Sequence, residues 1–238
     1  QQRSMSVLAN ANYTFLDRYI IYGNVALNGN SRFGKNYRYG TFPAISGRWR
    51  VSGEPFMKAI KGTWLDDLSL RASYGITGRS PDSDYLYFNR YSSYSYGYLG
   101  ESTSYPSSLE LKELRWERSI QNNYGLNFVA LDYKLNAEFD YYLRVTKDQY
   151  SASTSIPTSS GFSSMALNYG VLRNEGWEFN INYIPVRTPD LTVNIAFNVA
   201  REENSVTKLS EYADLDNFED WSSNGTYITR IVAGQPHG

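Results

Sequence analysis

Nucleophilic catalysis and acid–base catalysis usually set a histidine beside a nucleophile. The one histidine of this sequence is His237, second from the last residue, and there is no cysteine. Thiol chemistry, disulfides and a His/Cys zinc site therefore have nothing to build on. The serine-rich SSGFSSM (159–165) lacks the glycine–serine–glycine frame of a nucleophile elbow. Carboxylates are more plentiful. Asp66 and Asp67 are neighbours, as are Glu202 and Glu203, and strand neighbours point to opposite faces. Glu138 and Asp140 share a face, with Arg144 further along the same strand. An acid pair at work on a substrate is one reading. A charge network in a wet interior is the expected one. In EYADLDNFEDW (211–221), Asp214, Asp216, Glu219 and Asp220 fall close together, and a hard cation wants several such oxygens. The spacing and glycine of a standard calcium loop are missing, so a solvated acidic loop is expected, with an ion site or a protein contact as alternatives. No cofactor and no catalytic activity are expected.

Binding chemistry is better represented. The stretch SPDSDYLYFNRYSSYSYGYLGESTSYPSS (80–108) holds Tyr85, Tyr87, Tyr91, Tyr94, Tyr96 and Tyr98. Sugar rings stack their C–H faces on aromatic rings, and phenol hydroxyls bond sugar hydroxyls. Such a loop suits a glycan, and it suits equally a rigid contact surface for its own rings or a protein lid. NSRFGKNYRYG (30–40) carries Arg32, Lys35 and Arg38, which could attract lipopolysaccharide phosphates, although a solvated loop is the plainer expectation. The formal net charge is -1, which gives nucleic acid no basic surface to bind.

The elements that hold these segments are strands. In ISGRWRVS (45–52), Ile45, Trp49 and Val51 fall on one side and Arg48 and Arg50 on the other. The same period-2 pattern recurs at 7–15, 19–27, 68–76, 120–130, 135–145, 177–183 and 191–199, and a ninth run begins within 226–233. Residues 53–66 read as a short helix. Mean hydropathy is -0.51 although 16% of residues are aromatic, as expected where each strand is apolar on one face and polar on the other. Tight turns at 17–18, 131–134 and 185–190 alternate with long loops at 29–42, 78–117, 148–172 and 202–225. That asymmetry, with strands longer than the roughly 5–6 residues usual in soluble sheets, predicts an all-β fold: a transmembrane antiparallel up-and-down barrel. A soluble β-sandwich is the alternative. In a membrane, Ile45, Trp49, Val51, Leu70, Phe139, Tyr141, Phe179, Ile195 and Phe197 would face lipid. Arg48, Arg50, Arg71, Glu138, Asp140 and Arg144 would face a wet lumen. An arginine facing lipid at mid-depth costs about 2–4 kcal/mol, so the assignment of faces is nearly forced.

The stretches SRFGKNYRYGTFPAISGRWRVSGEPFMK (31–58) and WLDDLSLRASYGITG (64–78) resemble the barrel of the SusC/RagA family, the TonB-dependent outer-membrane transporters of Bacteroidota. LKELRWERSIQNNYGLNF (111–128), FDYYLRVTKD (139–148), IPTSSGFSSMALNYGVLRNEGWEFNINYIPVRT (156–188), NSVTKL (204–209) and RIVAGQPHG (230–238) follow in the family's order. The resemblance implies an integral outer-membrane barrel of 22 strands around a plug, of which this chain holds about eight or nine. Residues 1–238 would then be part of the C-terminal barrel domain, with the plug and the TonB-contacting segment elsewhere in a longer protein. The resemblance further implies energy-coupled import of an oligosaccharide or peptide. Its partners would be a SusD-like surface lipoprotein acting as a lid, the TonB–ExbB–ExbD system, and outer-membrane lipid and lipopolysaccharide. A non-transporting scaffold or adhesion barrel, whose loops dock another protein, is the competing function.

Overall fold

Alternating side chains extend a strand only if neighbouring strands match its register, and here they do so in chain order. In the computed structural model, which describes residues 2–34, 36–95, 101–156, 158–162, 164–209, 222–223, 226–227 and 232–236, eight strands form one antiparallel sheet. They are β1 (Ser4–Phe15), β2 (Tyr19–Asn30), β3 (Tyr39–Arg50), β4 (Leu65–Arg79), β7 (Glu117–Ala130), β8 (Leu135–Ser155), β9 (Ser164–Arg187) and β10 (Thr192–Leu209). Two short hairpins lie apart from it: β5 (Arg90–Ser93) with β6 (Ser104–Ser108), and β11 (Ser222–Ser223) with β12 (Thr226–Tyr227). Each sheet strand pairs only with the sheet strand before it and after it in the chain.

The register separates two faces across seven strands. Tyr19, Trp49, Leu70, Leu126, Phe139, Phe179 and Val199 stand directly opposite one another in turn. One residue along, the row reads Ile20, Arg48, Arg71, Gly125, Asp140, Glu178 and Ala200. The large apolar residues of the first face are not covered by a second sheet. Ile45 is 55% exposed, Ile195 56% and Phe197 58%, and Trp49, Leu70, Phe139 and Tyr141 are exposed as well. A sandwich would interlock these side chains in a core, so the soluble-sandwich alternative fails. Charge returns to this face from the row of Trp177 upward, in the pairs Arg173–Glu175 and Arg201–Glu203 and at Arg118 and Lys147.

Val51 departs from the expected lipid-facing set. The strand ends at Arg50, and Val51 is buried in a 3-10 turn, Val51–Gly53. The expected helix at 53–66 is likewise absent from the described residues. A second 3-10 turn, Pro55–Met57, and further turns replace it. A few residues between Gly53 and Gly62 are too short a run to offset the cost of helix nucleation. The loops at 29–42, 148–172 and 202–225 also prove shorter than expected, because β2 continues to Asn30, β8 to Ser155 and β10 to Leu209. Strands projecting past an apolar band are wet on both faces, so the alternation that marks them in sequence disappears there. Of the expected ninth strand, only Thr226–Tyr227 is extended among the described residues.

Tight turns hold the opposite end. In the three-residue connection 16–18, Leu16 and Asp17 have φ of 53° each, and the Arg18 N–H closes the turn on the Phe15 carbonyl at 3.1 Å. Positive φ at both central positions suits the right-handed twist of a hairpin, although non-glycine residues adopt it at a cost. On the long-loop end, an aromatic clamp replaces sheet pairing. The β3–β4 ladder stops at Ala44–Gly75, next to Pro43, which has no N–H to offer. Phe42 fills the space beyond, over Gly40 and Gly78, where a Cβ would lie 2.6 and 2.0 Å from its ring. Trp116 packs against it at 5.4 Å and against the fully buried Phe33 at 4.6 Å. Loop 31–38 and the segment before β7 are thereby pinned to the sheet. Phe42→Ala is expected to weaken this clamp by about 3 kcal/mol. Amide hydrogen exchange should report it as faster exchange within 31–38, with the β2–β3 ladder below unchanged.

Candidate functional site

The polar face carries a connected charge network. Arg71 on β4 donates to Glu138 and, at 3.0 Å, to Asp140, both on β8. These residues are separated by β7, and the reach is possible because the intervening position is Gly125. A Cβ there would lie 2.5 Å from Asp140 Oδ1 and 2.9 Å from the Arg71 guanidinium. Both carboxylates thus serve one arginine, which suits a structural tie and leaves no free acid–base pair. Arg144 lies on the same face but donates to Gln121 at 3.4 Å, not to the carboxylates beside it in sequence. Tyr142, Asn123, Asn174, Glu178 and Glu202 complete a trough of about 630 Å³.

Nearer the tight-turn end, Asp67 gathers a second group. It accepts from Ser52 at 2.6 Å, from Ser69 at 2.8 Å, and from Arg48 and Arg50 at 3.4 Å each. Its sequence neighbour Asp66, at the irregularity between Leu65 and Asp67, accepts instead from the Tyr133 backbone N–H at 2.9 Å. A third knot, not apparent from the sequence, centres on Glu54. Tyr19 and Trp49 donate to its Oε1, Trp49 at 3.0 Å, and Arg18 pairs with its Oε2 at 2.8 Å. Hydrogen bonds from Tyr19 and Trp49, with the charge of Arg18, hold the Glu54 carboxyl below the ordinary glutamate range although burial pushes the other way.

The long-loop end presents the tyrosines. Tyr85, Tyr91 and Tyr94 are exposed, Tyr91 the most at 66%. Tyr87 and Tyr85 pack on Phe88 at 4.1 and 6.3 Å, and Tyr94 packs on Tyr105 at 4.4 Å across the β5–β6 hairpin. Residues 90–93 therefore belong to a separate hairpin with 104–108, not to a strand of the main sheet. Tyr96, Tyr98, the acidic run with Asp214, Asp216, Glu219 and Asp220, and His237 lie outside the described residues. Arg32 ties loop 31–38 to this region, bonding Asp84 and the Pro81 carbonyl at 2.7 Å each. Tyr37 donates to Glu113 at 2.6 Å, which raises its hydroxyl above the usual tyrosine range, and Arg115 lies over its ring. Asn168 bonds both backbone groups of Arg115 at 3.1 Å, tying in the β8–β9 hairpin. The loops thus form one linked cap.

Two outcomes follow from these knots. Gly125→Ala should cost about 1–2 kcal/mol of unfolding free energy by displacing the Arg71–Asp140 pair. The penalty should shrink in an Arg71→Gln background, which a double-mutant cycle measures. A carboxyl held low in the folded state contributes stability that is complete above its unfolded-state pKa and is lost as pH falls through the lowered folded value. Thermal stability should therefore fall as the medium is acidified below the ordinary glutamate range, and Glu54→Gln should flatten that part of the profile.

Comparison with known proteins matches residues 1–235 to the family model described as TonB dependent receptor-like, beta-barrel. The chain is 35% identical over 222 residues to the TonB-dependent receptor SusC of Bacteroides thetaiotaomicron, covering 90% of this chain and 22% of that protein. It is 36% identical over 216 residues to the TonB-dependent receptor P39 of Formosa agariphila, covering 90% and 20%. The chain thus spans about a fifth of the length of these relatives. Among solved structures, the RagAB peptide transporter superposes with a TM-score of 0.80 at 28% identity, over 89% of this chain and 23% of that one. The FrpB iron transporter of Neisseria meningitidis superposes at 0.55 with 16% identity, over 87% and 26%, a likeness of fold alone. With its meander register, its two unlike faces and this match over nearly its whole length, the chain belongs to the TonB-dependent receptor β-barrel family, on the SusC/RagA side of it.

Proposed function

We propose that this chain supplies part of the wall and outside loops of an outer-membrane importer driven through TonB–ExbB–ExbD, taking up an oligosaccharide or a peptide beneath a SusD-like lipoprotein lid. The observation that carries the reading is the pair of unlike rows across seven strands. Ile45, Trp49, Leu70, Phe139, Tyr141, Phe179, Ile195 and Phe197 meet hydrocarbon. Arg48, Arg50, Arg71, Glu138, Asp140 and Arg144 stay hydrated inside, where a plug supplied by the rest of the protein fits. Turning the arginines outward would cost about 2–4 kcal/mol each near mid-depth, so the opposite orientation is unstable. Relatives named for SusC and for a peptide importer support transport over a fixed barrel. The ligand-facing residues are the exposed loop tyrosines, whose rings suit sugar faces and peptide side chains alike.

The test uses the full-length protein in its own membrane. Tyr91→Ala with Tyr94→Ala removes two exposed rings. At about 1 kcal/mol per aromatic contact, ligand uptake should fall roughly tenfold to thirtyfold. Barrel folding, read as the mobility difference between heated and unheated samples, should be unchanged. Unaltered uptake with loss of lipoprotein co-purification would reassign the tyrosines to docking. Unaltered uptake with the partner retained would remove them from the ligand path.

A further inference from the structure

The connection between β3 and β4, residues 51–64, is an odd surface loop. It exposes Phe56 at 66%, Trp64 at 51% and Ile60 at 37%. Connections of this kind normally run through water and are polar. Its only charged residues past the Glu54 knot are Lys58 and Lys61, both exposed, and neither is in an ion pair among the described residues. The side of the sheet on which it lies is fixed by its anchors. Glu54 is held by Tyr19 and Trp49, members of the apolar row. Trp64 packs on Phe128 at 6.1 Å, and Phe128 shares the face of Leu126. Ser52, by contrast, is tied to Asp67 on the polar side. The chain therefore crosses the rim between Ser52 and Glu54, and residues 55–64 drape toward the apolar face at the tight-turn end.

The geometry points to a lipid-binding foot. Resting on the outer-membrane reading above, residues 55–64 embed Phe56, Ile60 and Trp64 in the headgroup zone of the inner leaflet, with Lys58 and Lys61 engaging anionic phospholipid headgroups. Apolar rings and aliphatic side chains flanked by lysines are the composition of an interfacial anchor. The surface is continuous with the exposed apolar band through Trp49 and Phe128. Its charge is complementary to phosphatidylglycerol and not to a zwitterionic surface. The Glu54 knot makes the foot a fixed one, because three donors converge on a single carboxylate.

The full-length protein, reconstituted in nanodiscs, carries a polarity-sensitive fluorophore on Ile60→Cys or, in a parallel variant, on Leu70→Cys. Leu70 sits within the apolar row, between Trp49 and Leu126, and reports the barrel reading itself. Blue-shifted emission from position 60, quenched by brominated lipid, is the expected result. Retention of phosphatidylglycerol over phosphatidylcholine, measured by native mass spectrometry, should drop at least threefold in the Lys58→Gln, Lys61→Gln double variant. Water-like emission at 60 with lipid quenching at 70 would overturn the foot and leave the barrel standing. Water-like emission at both would overturn both. Shielding at 60 without lipid quenching would mean a protein neighbour and sink the proposal, and an unchanged lipid preference in the double variant would sink the role of the lysines.

Discussion

One constraint organises the molecule: each long strand presents two unlike faces, one apolar and one polar. Hydrocarbon offers no hydrogen bonds, so every backbone group at that depth must be paired within the protein, and a sheet meets this need only with its neighbours in register. The same register decides which side chains share a row. A slip of one residue would carry Arg48, Arg71, Asp140 and Glu178 to the face now held by Trp49, Leu70, Phe139 and Phe179. Register, backbone pairing and the choice of solvent are therefore a single condition, and the remaining features protect it.

Three devices act in that way, each using a small or missing side chain to let a large group reach. Gly125 lets an arginine on one strand bond carboxylates two strands away. Gly40 and Gly78 let Phe42 seat where Pro43 ends the ladder. Ser52 and Ser69, both fully buried, leave room for Asp67 to meet two arginines. Exposed ion pairs contribute little individually, about 0–1 kcal/mol. What the ion-paired groups add is position: they cross-link strands on the polar face.

The fold was legible in the sequence wherever one face of a strand is apolar. The runs at 45–50, 68–76, 135–145 and 191–199 alternate cleanly, and the structure pairs them as strands whose apolar and polar residues fall on opposite faces. Legibility ended where the contrast ended. Beyond Val145 on β8 and Val199 on β10, and before Trp177 on β9, the period-2 contrast is lost, so the upper reaches of these strands looked like loop. Val51 kept the alternating parity but had already left the strand, in a turn whose Ser52 and Glu54 are held by the distant partners Asp67 and Tyr19. The network around Arg71 was only half visible. Its two carboxylates share a strand at a two-residue spacing, whereas the arginine that binds them is 67 and 69 positions away. The tyrosines of 85–94 were conspicuous by type, but their separate hairpin depends on pairing with 104–108, which carries little alternation of its own.

The strict chain-order topology has a consequence for how such a wall is assembled. Every ladder joins segments that are consecutive in the main sheet, so no strand must wait for a distant stretch of chain before finding its mate. Each new hairpin covers the raw edge left by its predecessor, much as a zipper closes. During insertion unpaired amides are then confined to the two borders of the growing sheet, the first strand's and the advancing one, which limits both the energetic penalty and the opportunity for misassociation.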